Sequence, residues 1–260
     1  MSELTNESIK AFIDWELENF QIKLTEGLAE LDLKSILKRK NPYLCKAKNL
    51  EIASDLVKAI VGAYVSSKEE TVFGEFLEKL AIFVSTKTFG GFKSASVGID
   101  LEQTRDGIRY FISIKSGPNW GNSGQIKKMI DNFNAVRRTL RTNSAGVDTR
   151  FINGCCYGRD NGYKTGDYEK LCGEAFWELI SGRQSFYLDF IKPLGERSEK
   201  FHNVSNQAVG SLINRLTEQF LAQFCFPDKR IDWEKLVKFV SQRRPATLAN
   251  SAAIRNRVKR

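Results

Sequence analysis

Residues 94–115 read SASVGIDLEQTRDGIRYFISIK, a β-rich run from Ser94 to Gln103 and a second from Ile108 to Lys115, joined by Thr104-Arg105-Asp106-Gly107. Asp-Gly between two such runs is a strong hairpin signal, because both central residues of a two-residue turn need a positive φ. A two-residue turn at Asp106-Gly107 places Arg105 opposite Ile108 and, counting outward, Asp100 opposite Ser113. Side chains alternate along a strand. Lys115 therefore shares the face of Ser113 and Asp100, while Ile112 and Ile114 turn to a buried face. A one-residue slip in register would separate the carboxylate from the ammonium.

Outward from the hairpin the pattern is helical. EETVFGEFLEKLAIFV, in a helix beginning near Ser67, has an apolar stripe of Phe73, Phe76, Leu77, Leu80, Ala81 and Phe83. Its Glu75 and Glu78, three apart, are expected on one face. Further upstream, one apolar series runs from Ile9 to Phe20 and another from Leu50 to Tyr64, with Asn41-Pro42 breaking the pattern between them. That break lies in the basic stretch LKRKNPYLCKAKN, read as a solvated loop or as one that touches phosphate through residues such as Lys40. Downstream of the hairpin, the glycine-rich loop GPNWGNSG leads into a basic helix, QIKKMIDNFNAVRRTLR. A short strand is expected at TRFINGCCYG and a polar loop to about Tyr168. Helices follow at EKLCGEAFWELISG, QSFYLDFIKPL and SLINRLTEQFLAQF, then a basic tail from Gln242. The expected fold class is α/β, a mixed central sheet flanked by helices with helical N- and C-terminal parts. One domain spans 1–260, with a core at 67–195 between helical parts at 1–66 and 196–260.

Composition restricts the functions. Forty Lys and Arg against 31 Asp and Glu give a net charge of +9, which favours a polyanionic partner without naming it. No apolar run approaches a membrane span and the start, MSELTNESIK, has no signal-peptide pattern, so the expected location is cytoplasmic. The five cysteines form no CxxC pair and are expected reduced, in or near the core. His202 is the single histidine, which excludes sites built on several histidines; its polar surroundings suit a solvated surface position. No phosphate-binding or dinucleotide fingerprint is present.

A carboxylate beside a lysine on a hairpin is most often a cross-strand ion pair. Three features favour chemistry here: Asp100 and Lys115 lie at strand ends, a glycine-rich loop follows, and an acidic helix precedes. Phosphodiester hydrolysis needs a hard cation such as Mg²⁺, oxygen ligands to hold it, and a group that poises the attacking water. Asp100 suits the central ligand, the Ile114 carbonyl a further one, and Glu75 or Glu78 a second carboxylate. Lys115 suits orienting or helping to deprotonate the water and stabilising charge on the phosphate.

GID ending at Asp100 and ISIK ending at Lys115, with FGEFLE before them and SGPNW, NGCCYG and GEAFW after, resemble the PD-(D/E)XK nuclease core. As an ordered set over roughly residues 40 to 190, they look like type II restriction endonucleases, particularly those acting on GGNCC-like interrupted palindromes. The resemblance implies a restriction-endonuclease-like core and Mg²⁺-dependent cutting of double-stranded DNA. A homodimer is expected from the two-fold symmetry of the DNA, and a cognate DNA methyltransferase as genetic partner. The chain departs from the pattern at Ser113, where a carboxylate normally precedes the lysine by two. A glutamate of the preceding helix is the expected replacement, Glu78 before Glu75, with Glu102 of the hairpin also open.

DNA contacts are expected from Trp120, Asn122 and Gln125 in the loop entering the basic helix and from Lys127 and Lys128 on it, with Trp120 equally suited to packing beneath the loop. Two rival readings of the whole remain: a repair or recombination nuclease on the same core, and a non-catalytic nucleic-acid-binding module in which Asp100 and Lys115 are only a structural pair.

Overall fold

The computed structural model describes residues 3–143, 148–159, 162–196 and 198–243, without the side chains of 142–143 and 198–203. The side chain of His202 and the basic tail beyond residue 243 lie outside the described residues. In chain order the elements are α1 (Asn6–Ala29), α2 (Leu33–Leu37), α3 (Pro42–Ala47), α4 (Ala53–Phe89), β1 (Phe92–Lys93), β2 (Leu101–Arg105) and β3 (Ile108–Lys115). After them come α5 (Ser123–Asn143), β4 (Thr149–Cys155), β5 (Glu169–Cys172), α6 (Glu174–Ser181), α7 (Phe186–Asp189), α8 (Ile191–Glu196), α9 (Ser198–Phe224) and α10 (Trp233–Ser241). The chain divides into two compact units, Met1–Glu26 with Ser67–Asn206, and Gly27–Ser66 with Gln207–Arg260.

The first unit is an α/β layer structure around one five-stranded mixed sheet in the order β1-β2-β3-β4-β5. β1, β2 and β3 pair antiparallel, whereas β3, β4 and β5 run parallel. The hairpin register is the one the turn dictates: Arg105 faces Ile108 and Leu101 faces Ile112. Asp106 (φ 52°) and Gly107 (φ 76°) both take the left-handed backbone that a two-residue turn demands. Alternation then gives the sheet two apolar faces. Leu101, Tyr110, Ile112, Ile114 and Ile152 pack with Phe76, Leu80 and Val84 of α4, Ile9 and Ile13 of α1, and Phe176, Trp177 and Ile180 of α6. On the other face Phe111 and Phe151 pack with Met129, Phe133 and Val136 of α5, the crossover helix between the parallel strands β3 and β4.

Close approach makes one glycine indispensable. A Cβ on Gly154 of β4 would stand 2.4 Å from the ring of Phe176, which is fully buried and has nowhere to go. Gly154→Ala is therefore expected to destabilise the protein by about 1–3 kcal/mol through overpacking. The readout is a lower urea midpoint at unchanged slope; an unaltered midpoint would show that α6 can retreat.

The second unit is helical among its described residues. Asn41 accepts hydrogen bonds from the backbone N–H groups of Tyr43 (3.0 Å) and Leu44 (3.3 Å), and Pro42 opens α3. Arg215 of α9 donates to the carbonyls of Ala29 (3.1 Å) and Leu31 (3.2 Å), satisfying acceptors at the end of α1. Lys46 lies over the ring of Trp233 at 5.2 Å.

Several expectations need correction. The basic stretch around Asn41 is largely helical rather than a loop, because Asn as N-cap followed by Pro at the first helical position starts a helix as readily as it stops one. The helices expected from Leu50 to Tyr64 and from Ser67 are one element, α4, since VSSKEE between them carries no Gly or Pro to end it. Ser94–Asp100 is not strand: Gly98 (φ 76°) bends the chain, and Ser96 N–H donates to the Ser94 hydroxyl at 3.0 Å. Glu169–Cys172, expected as the start of a helix, is β5, held in place by parallel pairing to β4. None of the five cysteines is in a disulfide, and Cys155, Cys156 and Cys172 are buried. Among the described residues no helix is long and apolar enough to cross a membrane.

Candidate active site

The hairpin brings Asp100 and Lys115 together where β2 begins and β3 ends. The Asp100 backbone N–H donates to the Ile112 carbonyl at 2.9 Å, extending the ladder one residue beyond β2. Its carboxylate Oδ2 accepts the Ile114 N–H at 2.6 Å and, more weakly, the Ser113 hydroxyl at 3.5 Å. Lys115 Nζ stands 3.7 Å from the same Oδ2 and donates to the Ile114 carbonyl at 2.8 Å. The ammonium also lies 5.1 Å from the centroid of the Trp120 ring. Both side chains of the pair are about one quarter exposed, so they are neither dispersed in solvent nor sealed from a ligand.

Glu78 joins them from α4, which passes close to the end of β3: a Cβ added to Gly74 would touch Ser116 at 3.7 Å. Burial pushes the Glu78 carboxyl above the usual carboxylate range; the nearby Asp100 charge raises it further, and Lys93 and Lys115 partly oppose this. Lys93 of β1 is 3.7 Å from Glu78. Sequence reasoning missed Lys93, because β1 is two residues long and carries no periodic signal.

Glu75 is not part of the cluster. One helical residue turns the direction by about 100°, so positions three apart diverge by about 60°. Here that is enough for Glu75 to face α1, where Lys23 holds it at 2.6 Å and keeps its carboxyl below the ordinary range. Glu102 is also committed elsewhere: almost buried, it accepts from Arg109 at 2.7 Å and from the Ser94 hydroxyl at 2.5 Å. Ser113 is buried, with Asn153 of β4 as its neighbour in register.

Two carboxylates that repel each other, an adjoining main-chain carbonyl and a lysine resting on that carbonyl form a site whose charges fit a hard cation. Among the described residues no three acidic, cysteine or histidine side chains gather into a metal cage. The oxygen groups here that could hold a hard cation are the Asp100 and Glu78 carboxylates and the Ile114 carbonyl.

The expected DNA contacts fall in three places. Asn122 and Gln125 form a reciprocal cap at the start of α5: the Asn122 side-chain Oδ1 accepts from the Gln125 backbone N–H and the Gln125 side-chain Oε1 from the Asn122 backbone N–H, each at 3.0 Å. Lys127 and Lys128 are exposed on its first turns. Trp120 packs against the Phe111–Phe133 cluster beneath the loop, with one face turned to Lys115. Lys40 belongs to the second unit and is half-buried.

A family model described as Type II restriction endonuclease EcoO109I matches residues 7–202. The chain belongs to this family. No curated protein matches it. As a type II restriction endonuclease it is a site-specific DNA hydrolase that acts on double-stranded DNA, and the match encloses the hairpin, α4, α5 and the strand carrying Gly154.

Proposed function

We propose that this endonuclease hydrolyses DNA with Mg²⁺ at Asp100, Glu78 and the Ile114 carbonyl, cutting a palindromic or GGNCC-like interrupted palindromic site as a homodimer. The observation that carries this reading is the nearness of Glu78, from a helix, to the Asp100–Lys115 pair, from a hairpin, which supports Glu78 as the replacement for the carboxylate absent at Ser113. Magnesium bound there would neutralise charge developing on the scissile phosphate and acidify a water.

The protein's own groups supply the rest. The Ile114 N–H fixes the orientation of the Asp100 carboxylate, and the Ser113 hydroxyl supports it from the same face. The Trp120 ring and the Ile114 carbonyl hold the Lys115 ammonium beside Asp100, where it can orient the attacking water and meet negative charge on the phosphate. Lys93, largely exposed next to Glu78, adds a second cation at the mouth of the site. Lys127, Lys128 and Lys40 are suited to phosphate contacts, and Trp120, Asn122 and Gln125 shape the loop that enters the groove. A dimer matches two equivalent cuts to a two-fold site. The cytoplasm, with a cognate methyltransferase protecting host DNA, is where such an activity belongs.

The test is incubation of the purified protein with unmethylated phage DNA, with Mg²⁺ and with EDTA. Discrete fragments are expected with Mg²⁺ only. Smears would replace site-specific cutting with a structure-directed nuclease, and discrete fragments in EDTA would remove the metal from the proposal.

A further inference from the structure

At the opposite end of β3 from Lys115, a cavity of about 370 Å³ is lined by Arg109, Arg137, Leu140, Arg141, Thr149, Phe151 and Gly166. Three arginines around one cavity are expensive to assemble unless something anionic offsets their charge. Arg109 has such a partner in Glu102 (2.7 Å). Arg137 does not. Its guanidinium stacks on the Phe151 ring at 4.1 Å and donates to neutral acceptors, the Asn134 side-chain oxygen at 2.7 Å and the Asp167 main-chain carbonyl. Burial pulls the Arg137 pKa below its ordinary value; the Asp167 charge opposes this and Arg141 adds to it. Arg141 is exposed at the cavity's edge, and among the described residues no carboxylate forms an ion pair with it.

We propose that this arginine cavity is a second phosphate-binding site, separate from the catalytic centre, which takes a backbone phosphate of the bound DNA. Guanidinium forks match the paired oxygens of a phosphate, and Thr149 is among the lining residues. Position favours DNA as the source. Six residues of β3 separate Arg109 from Lys115, about 20 Å of strand. Fourteen residues of α5 separate Arg141 from Lys127, about 21 Å of helix. The two cationic ends of α5 are thus spaced like phosphates about six base pairs apart along a duplex. The choice of DNA, though not the cavity's affinity for phosphate, rests on the DNA-cutting reading above.

Arg141→Gln tests it, since an exposed side chain can be neutralised without disturbing the core; Arg137→Lys keeps the charge and removes the stacked fork. Binding of a duplex containing the cut site is measured against salt concentration, in Ca²⁺ in place of Mg²⁺ and in EDTA. Single-turnover cleavage in Mg²⁺ is followed separately, so that loss of cutting in wild type would be seen as failure of the functional reading alone. The expected result for Arg141→Gln is a slope of log K against log salt shallower by about 0.9, three- to tenfold weaker binding, and an unchanged cleavage rate at saturating protein. Orthophosphate is the second probe. An unchanged DNA slope, with a phosphate-dependent rise in wild-type melting temperature that both variants lose, would support the site with free phosphate as its ligand. Neither response in either variant would overturn it.

Discussion

Asp100→Asn should still fold and bind DNA but cut it about 10³-fold more slowly or not at all, and Lys115→Ala should lose about 10²–10³-fold. Asparagine keeps the size of the side chain and an oxygen that can accept the Ile114 N–H now held at 2.6 Å, so the hairpin end survives. What it removes is the charge that, on the proposed reading, would hold a cation and, with Lys115 3.7 Å away, organise the water and phosphate. Alanine at 115 deletes the ammonium, with its contacts to the Trp120 ring and the Ile114 carbonyl, but leaves Asp100 in place. The measurement is single-turnover cleavage of a defined duplex, with circular dichroism and DNA binding as controls. If either variant cut within threefold of wild type, the pair would be a structural cross-strand contact and the reaction would have to be carried elsewhere on the chain.

The hairpin was readable from sequence because its determinants are local. Asp106-Gly107 admits one tight turn, the turn sets the register, and the register puts Asp100, Ser113 and Lys115 on one side. The buried face followed from the alternation of Ile112 and Ile114. What could not be read was set by distant partners. β5 is four residues, of which only Cys172 is buried, and it exists because β4 offers a parallel edge. Glu75 and Glu78 look alike in sequence; Lys23, 52 positions upstream, claims the first, while Lys93 and Asp100 surround the second. Asn122 and Gln125 were read for their hydrogen-bonding edges, yet their spacing also matches an N-terminal cap, and the helix has used both in that way. The arginine cavity was invisible for the same reason as β5: Arg109 and Arg137 meet only after α5 has crossed from β3 to β4.

Glu78→Gln is expected to move stability and activity in opposite directions. Burial and the Asp100 charge both disfavour ionised Glu78, more than Lys93 and Lys115 favour it, so its pKa is higher in the folded than in the unfolded protein. A raised pKa means that the stabilising contribution is present when the carboxyl is protonated, at pH below the unfolded value, and is lost as pH rises through the folded value. Above that point the native state carries an ionised carboxylate it would rather not have. Glutamine has the same shape and no charge at any pH. In EDTA at pH 8 the variant should therefore melt roughly 1–3 °C above wild type, and the gap should close as the pH is lowered and wild-type Glu78 becomes protonated. Adding Mg²⁺ should reverse the order: a ligand that binds only the native state stabilises it in proportion to its affinity, and wild type offers two carboxylates where the variant offers one. Cleavage by the variant should fall at least a hundredfold, since even residues that only support a metal ligand are worth ten- to a hundredfold. Differential scanning fluorimetry across pH, with EDTA and with Mg²⁺, reads the first two effects and a cleavage assay the third. A variant less stable than wild type in EDTA, with an undiminished response to Mg²⁺, would show that Lys93 fully neutralises Glu78 and that the second carboxylate of the centre lies elsewhere.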